Sequence, residues 1–150
     1  MEKNLKKRGF SLIEVLVVIA IISMLSALSL PVYRKARSKA LTVKTQTMLN
    51  SVEAALSMYS TDFGDYPYHN GEGTGMLVFL IQGPLESALW RGPYMRFKEK
   101  EIDSEGNLLD PWESPLSYKY PQDEHSNVPY IIVSAGADRI FGSSDDIGNW

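Results

Sequence analysis

Cysteine is missing from all 150 residues, so the chain has no disulfide, thiolate metal site or cysteine nucleophile. Histidine occurs only as His69 and His125, both in polar sequence and neither with a second ligand at metal-binding spacing. Both read as surface residues. There is no Gly-x-Ser-x-Gly elbow, Walker-A loop or dinucleotide-binding glycine pattern, and no spacing singles out an activated serine, so the chain does not read as an enzyme. An excess of positive charge is also lacking. Fifteen basic and 18 acidic residues give a formal net charge of -3, which argues against a general nucleic-acid binder. At this length, with 44% hydrophobic residues, the chain holds one domain with a modest core rather than two.

What is present is unevenly spread. From Phe10 to Leu30 the sequence FSLIEVLVVIAIISMLSALSL carries one charge, Glu14, and four basic residues (Lys3, Lys6, Lys7, Arg8) crowd the segment before it. A helix over residues 10–30 is about 30 Å long, the thickness of a bilayer's hydrocarbon core. The run is too long for a secretory h-region and no small-residue cleavage site follows it, so it reads as a membrane helix that is kept. Arg34, Lys35, Arg37 and Lys39 follow closely, and basic residues on both sides leave the orientation open by charge. The length of the trailing segment favours its translocation.

Glu14 is costly inside a membrane, by about 2.5–3.5 kcal/mol at a helix centre and less near an end. Either it snorkels to the headgroups, or it pairs with a cation. Cleavage between Gly9 and Phe10 would create such a partner, the new α-amine, one helical turn away or on a neighbouring copy.

The stretch Lys6-Lys7-Arg8-Gly9-Phe10-Ser11-Leu12-Ile13-Glu14 resembles the processing signal of type IV prepilins and type II secretion pseudopilins. The resemblance implies that a membrane prepilin peptidase cuts after Gly9, that Phe10 becomes an N-methylated terminus, and that Glu14 supports assembly. Pro31 falls where that family has a helix-interrupting proline. Residues 1–9 are then a leader, 10–33 a transmembrane and assembly helix, and 34–150 a periplasmic domain. Without the leader, 11 basic residues face 17 acidic ones, an acidic ectodomain.

Helical periodicity continues past Pro31. Leu41, Met48, Val52, Leu56 and Tyr59 form one apolar stripe, predicting a single long helix, bent at Pro31, from residue 11 to about 61 that packs under a sheet. Gly64 and Pro67 end it. Residues 69–75 read as a flexible loop and 76–81 as a short buried helix or strand. Gly92-Pro93-Tyr94 and Asp110-Pro111-Trp112 read as turns. Residues 116–120 and 130–134 are rich in strand formers and predict antiparallel strands covering the helix, an α+β fold of type IV pilin-like kind.

The last residues, SAGADRIFGSSDDIGNW, gather Asp138, Asp145 and Asp146 among glycines and serines. Calcium takes six to eight oxygen ligands, several of them carboxylates and others backbone carbonyls. A loop carrying Asp138 and returning with Asp145 and Asp146 suits one ion, with Gly136 and Gly142 allowing the backbone to turn. The loop is not an EF-hand. By spacing alone a solvated acidic tail fits as well.

The same residues are similar to the calcium loop that closes type II secretion major pseudopilins. That similarity implies carboxylate ligands from Asp138, Asp145 and Asp146, and backbone or hydroxyl oxygens from Ala135 and Ser143. The chain departs from the family at Arg139 and at Glu113, where the family has glycine; Arg139 places a cation beside the expected ion. Type IV pilins fasten the C-terminal region with a disulfide, which this chain cannot form, and an ion bound only to the folded state serves the same end. The resemblance covers residues 1–67 and 110–150.

The first functional expectation is therefore the major pseudopilin of a type II secretion system, self-assembling into a helical filament that supports export of folded proteins. Its implied partners are prepilin peptidase, minor pseudopilins and an inner-membrane assembly platform, with a single pass through the bacterial inner membrane. A type IV pilin or minor pilin for adhesion, motility or DNA uptake shares the first thirty residues. A periplasmic binding or sensor module tethered by its helix is the third reading, and it requires neither Gly9 cleavage nor Glu14.

Overall fold

The structure, a computed structural model, describes residues 10–71 and 73–150, and residues 28–31 by their backbone alone. The expected leader and its cleavage residue Gly9 lie outside the described residues. The chain divides into two compact units, residues 1–37 and 38–150.

One helix, α1 (Leu12–Phe63), runs without a break through Pro31 and belongs to both units. In the first unit it is long and apolar enough to cross a membrane. Among the described residues its large side chains find no cover: Leu12, Ile13, Leu16, Ile19, Ile22 and Met24 are all exposed. A surface of that kind needs lipid or other protein copies against it.

In the second unit the buried face of α1 is Thr45, Leu49, Val52, Leu56 and Tyr59, with Ala55 beside it. Alternating spacings of four and three residues keep these side chains on one stripe. This corrects the predicted stripe at its upper end. Leu41 and Met48 are half-buried, Met48 packing against the core, and Thr45 and Leu49 are the fully buried residues there. A fully buried threonine is compatible with the core because its hydroxyl donates to the Leu41 carbonyl at 3.0 Å.

The helix stops at Gly64, whose φ of +82° suits glycine and whose N–H donates to the Ser60 carbonyl. The chain then forms β1 (His69–Asn70), within the segment expected to be wholly loop, because pairing with a longer strand satisfies its backbone. The next element, α2 (Gly75–Gln82), settles the ambiguity at 76–81 as a helix, burying Leu77, Val78 and Ile81. Asn107 Oδ1 accepts the Thr74 and Gly75 N–H groups at 2.8 and 2.9 Å, satisfying donors at the start of α2.

The expected strands are β2 (Ser117–Tyr120) and β3 (Ile131–Ser134), paired antiparallel with Tyr118 opposite Ile132. A short β4 (Ile147–Gly148) completes a four-stranded antiparallel sheet in the order β1-β2-β3-β4. Tyr118 and Ile132 face inward and pack with Leu49, Val52, Leu56, Leu77 and Leu116. Burial pushes the Tyr118 phenol well above its ordinary pKa, and its hydroxyl donates to the Pro67 carbonyl, tying the exit of α1 to the sheet. The result is the expected α+β fold, a long helix packed on a small antiparallel sheet.

Candidate functional site

Two regions carry the chemistry predicted from sequence. At the N-terminal end of α1, Glu14 is exposed and its carboxylate lies 3.4 Å from the Ser11 N–H. It is the acidic residue of the first helical turn, where the helix dipole favours negative charge. Phe10 is 78% exposed, so the expected processing residue and the expected assembly residue Glu14 both face outward.

The second region is the loop between β3 and β4. Asp138, Asp145 and Asp146 are brought into one loop, as expected, and each is engaged with backbone amides. Asp145 Oδ2 accepts the Ala137 and Asp138 N–H groups at 2.7 and 3.0 Å. Asp138 Oδ1 accepts from Ile140 N–H at 2.8 Å, and Asp146 Oδ2 from Gly142 N–H at 2.7 Å. The Ser143 hydroxyl donates to Asp145 Oδ1. That hydroxyl first, and then the amide of Asp138, hold the Asp145 carboxyl below the ordinary carboxylate range.

Gly136 makes this packing possible. Its φ is +65°, and a Cβ there would meet the Asp145 carbonyl at 2.2 Å and Asp145 Oδ2 at 2.8 Å. Ala135, the expected carbonyl donor, is buried.

The donor chemistry of the loop fits a hard divalent cation. Asp146 Oδ1 is buried without a hydrogen-bond partner, and the glycine cradle draws the backbone close to Asp145. Among the described residues no three His, Cys, Asp or Glu side chains converge on one point.

Two residues that sequence reading passed over organise this region. Asp110 is 4% exposed; its Oδ1 accepts from Trp112 and Ser114 N–H, and its Oδ2 from the Ser134 hydroxyl. The Asp-Pro turn was visible in the sequence. Its partner Ser134 lies 24 positions away and carried no local signal. Arg139, whose cation the sequence places beside the expected ion unless its side chain points outward, donates from Nη2 to the Trp112 carbonyl.

Both histidines, read from sequence as surface residues, are half-buried, and His125 lines a cavity with Gly142 and Asp146 of this loop. His69 is half-buried with Nδ1 2.9 Å from the Tyr118 carbonyl, and His125 stacks on Trp150 with ring centroids 4.4 Å apart.

Residues 33–150 match the family model for type II secretion system protein G. The chain belongs to that family. Residues 4–30 match the prokaryotic N-terminal methylation motif. Curated relatives named type II secretion system core protein G include one from Pseudomonas aeruginosa, 32% identical over 97% of this chain and 96% of the relative. Another, from Escherichia coli, is 35% identical over 97% of this chain and 92% of the relative. A crystal structure of the major pseudopilin from the type 2 secretion system of enterohaemorrhagic Escherichia coli superposes with a TM-score of 0.51 at 27% identity. It covers 77% of this chain and 87% of that one. As a member of the protein G family, the chain fits the secretion pseudopilin reading over the type IV pilin reading, and its fold is pilin-like.

Proposed function

We propose that this chain is the major structural subunit of a type II secretion pseudopilus, assembling into a helical filament that supports export of folded proteins. The observation that carries this reading is the exposed apolar stretch of α1 over residues 12–25, joined to a domain with its own buried core. Leaving lipid is unfavourable, by about 0.3–0.6 kcal/mol for each of the larger apolar residues. Packing of α1 against copies of itself offsets that loss, and an inner-membrane assembly platform supplies the remaining work. A head-to-tail contact that does not close into a ring produces a filament.

Prepilin peptidase cuts between Gly9 and Phe10. The new Phe10 amine then faces Glu14 of a neighbouring copy, and a buried charge pair with one partner removed is strongly penalised, so the pair sets register. The domain from residue 34 onward lies in the periplasm, with the helix anchored in the inner membrane before assembly. Asp138, Asp145 and Asp146, with oxygens of Ala135 and Ser143, hold a calcium ion, which stabilises the folded loop.

Mass spectrometry of the mature protein tests the processing step. An N-terminus at Phe10 is expected, and an intact Met1 terminus overturns the reading. Glu14→Leu should insert in the membrane yet form no filaments; normal filaments would return Glu14 to a snorkelling role. Calcium should raise the melting temperature of the native chain but not of Asp145→Ala, and identical melts with and without chelator would remove the metal.

A further inference from the structure

We propose that Arg139 is a positioning residue that clamps the C-terminal loop onto the 110–114 turn, holding the loop's carboxylates in place before any cation arrives. The inference rests on the calcium reading only for its second arm.

Three observations converge on it. First, Arg139 has a φ of +62° and Glu113 a φ of +64°, and no other described residue except glycine has a positive φ. Side chains rarely accept this left-handed backbone, and it persists where surrounding contacts determine it. Second, the Arg139 guanidinium donates to the carbonyl of Trp112, the residue immediately before Glu113. The two left-handed residues are thus joined across the gap between two turns. Third, the same two segments meet in the interior through Asp110 and Ser134, and the Ser134 hydroxyl oxygen accepts the Gly136 N–H at 3.2 Å. The loop is held at two points, one buried and one exposed.

The geometry also disposes of the positive charge. A guanidinium bound to the Trp112 carbonyl is directed onto the neighbouring turn, so the carboxylates remain available to their backbone amides and to a cation. Arginine suits this task because its planar donor group is permanently charged and holds its orientation with little entropy loss per bond. With the clamp in place the Ala137 and Asp138 N–H groups are already bonded to Asp145, and a cation enters an ordered loop.

Hydrogen exchange read by mass spectrometry on the full-length processed protein in detergent tests this, in chelator and in calcium. In chelator the wild-type amides of residues 137 and 138 should exchange slowly. Arg139→Met, which keeps the strained backbone but loses the donors, should exchange there at least about tenfold faster, while β2 and β3 stay unchanged. Arg139→Lys should fall between them. Arg139→Gly, which relieves the backbone, gives a second variant if the methionine form does not fold, and it too should exchange faster. Wild-type exchange at the rate of an unprotected amide, or equal rates in all variants, overturns the clamp. The calcium arm separates the two readings. Calcium restoring slow exchange to Arg139→Met supports both, and calcium changing neither protein defeats the metal reading while the chelator arm still decides the clamp.

Discussion

The Asp110 carboxylate and the Ser134 hydroxyl meet at 2.6 Å in the interior, linking the turn after Leu109 to the last residue of β3, where the C-terminal loop begins. With Trp112 and Ser114 N–H on its other oxygen, the carboxylate receives three donors. Ser134→Ala removes one donor and leaves an acceptor buried, which should cost about 1–3 kcal/mol. Asp110→Asn should cost a similar amount, because an amide cannot accept on both sides. Urea unfolding of both variants and of the double variant checks the contact. Strictly additive losses would show that the two groups do not interact.

Glu113 is the second left-handed residue and is exposed. Glu113→Gly should therefore stabilise the domain by about 0.5–1 kcal/mol, relief of backbone strain outweighing the greater freedom of glycine when unfolded. A thermal melt should rise by roughly 2–4 °C. A lower melting temperature would mean that the side chain contributes more than the backbone loses.

The long helix and the two central strands were legible because period and composition reported them directly: Val52, Leu56 and Tyr59 lie on the buried stripe, and Tyr118 and Ile132 alternate inward. Leu49 and Thr45 were not, since a polar residue at a buried position breaks an apolar pattern and is explained only by its bond to the Leu41 carbonyl. In the acidic loop, the glycine departures at 113 and 139 marked the two positions that prove left-handed. The direction of the Arg139 side chain and the Asp110 contact were invisible, because both depend on segments brought together only by the fold.

Asp145 predicts the acid limb of stability. Its folded pKa lies below the unfolded value, so its contribution is complete above that value and is lost as pH falls through the folded pKa. In calcium-free buffer the melting temperature should fall below about pH 4, and Asp145→Asn should flatten that fall. A residual slope should remain from Asp65, held low first by the Tyr120 phenol and then by the Tyr66 amide. An unchanged acid limb in Asp145→Asn would show that the carboxylate does not bind these partners in solution.

The register of α1 against the sheet gives the sharpest mutational contrast. Leu49 is fully buried and Leu41 only half-buried, though an apolar count places both near the same face. Leu49→Ala should leave a cavity between α1 and the inward side chains, costing about 2–5 kcal/mol. Leu41→Ala removes little buried contact and should cost about 1 kcal/mol or less. Denaturant midpoints of the two variants measure the difference. Equal losses would place Leu41 in the core and extend the stripe by one turn toward the N-terminus. A larger loss at Leu49 fixes Thr45, Leu49, Val52, Leu56 and Tyr59 as the face that meets the sheet, leaving the opposite face, with Val43 and Met58 exposed on it, for contacts beyond the chain.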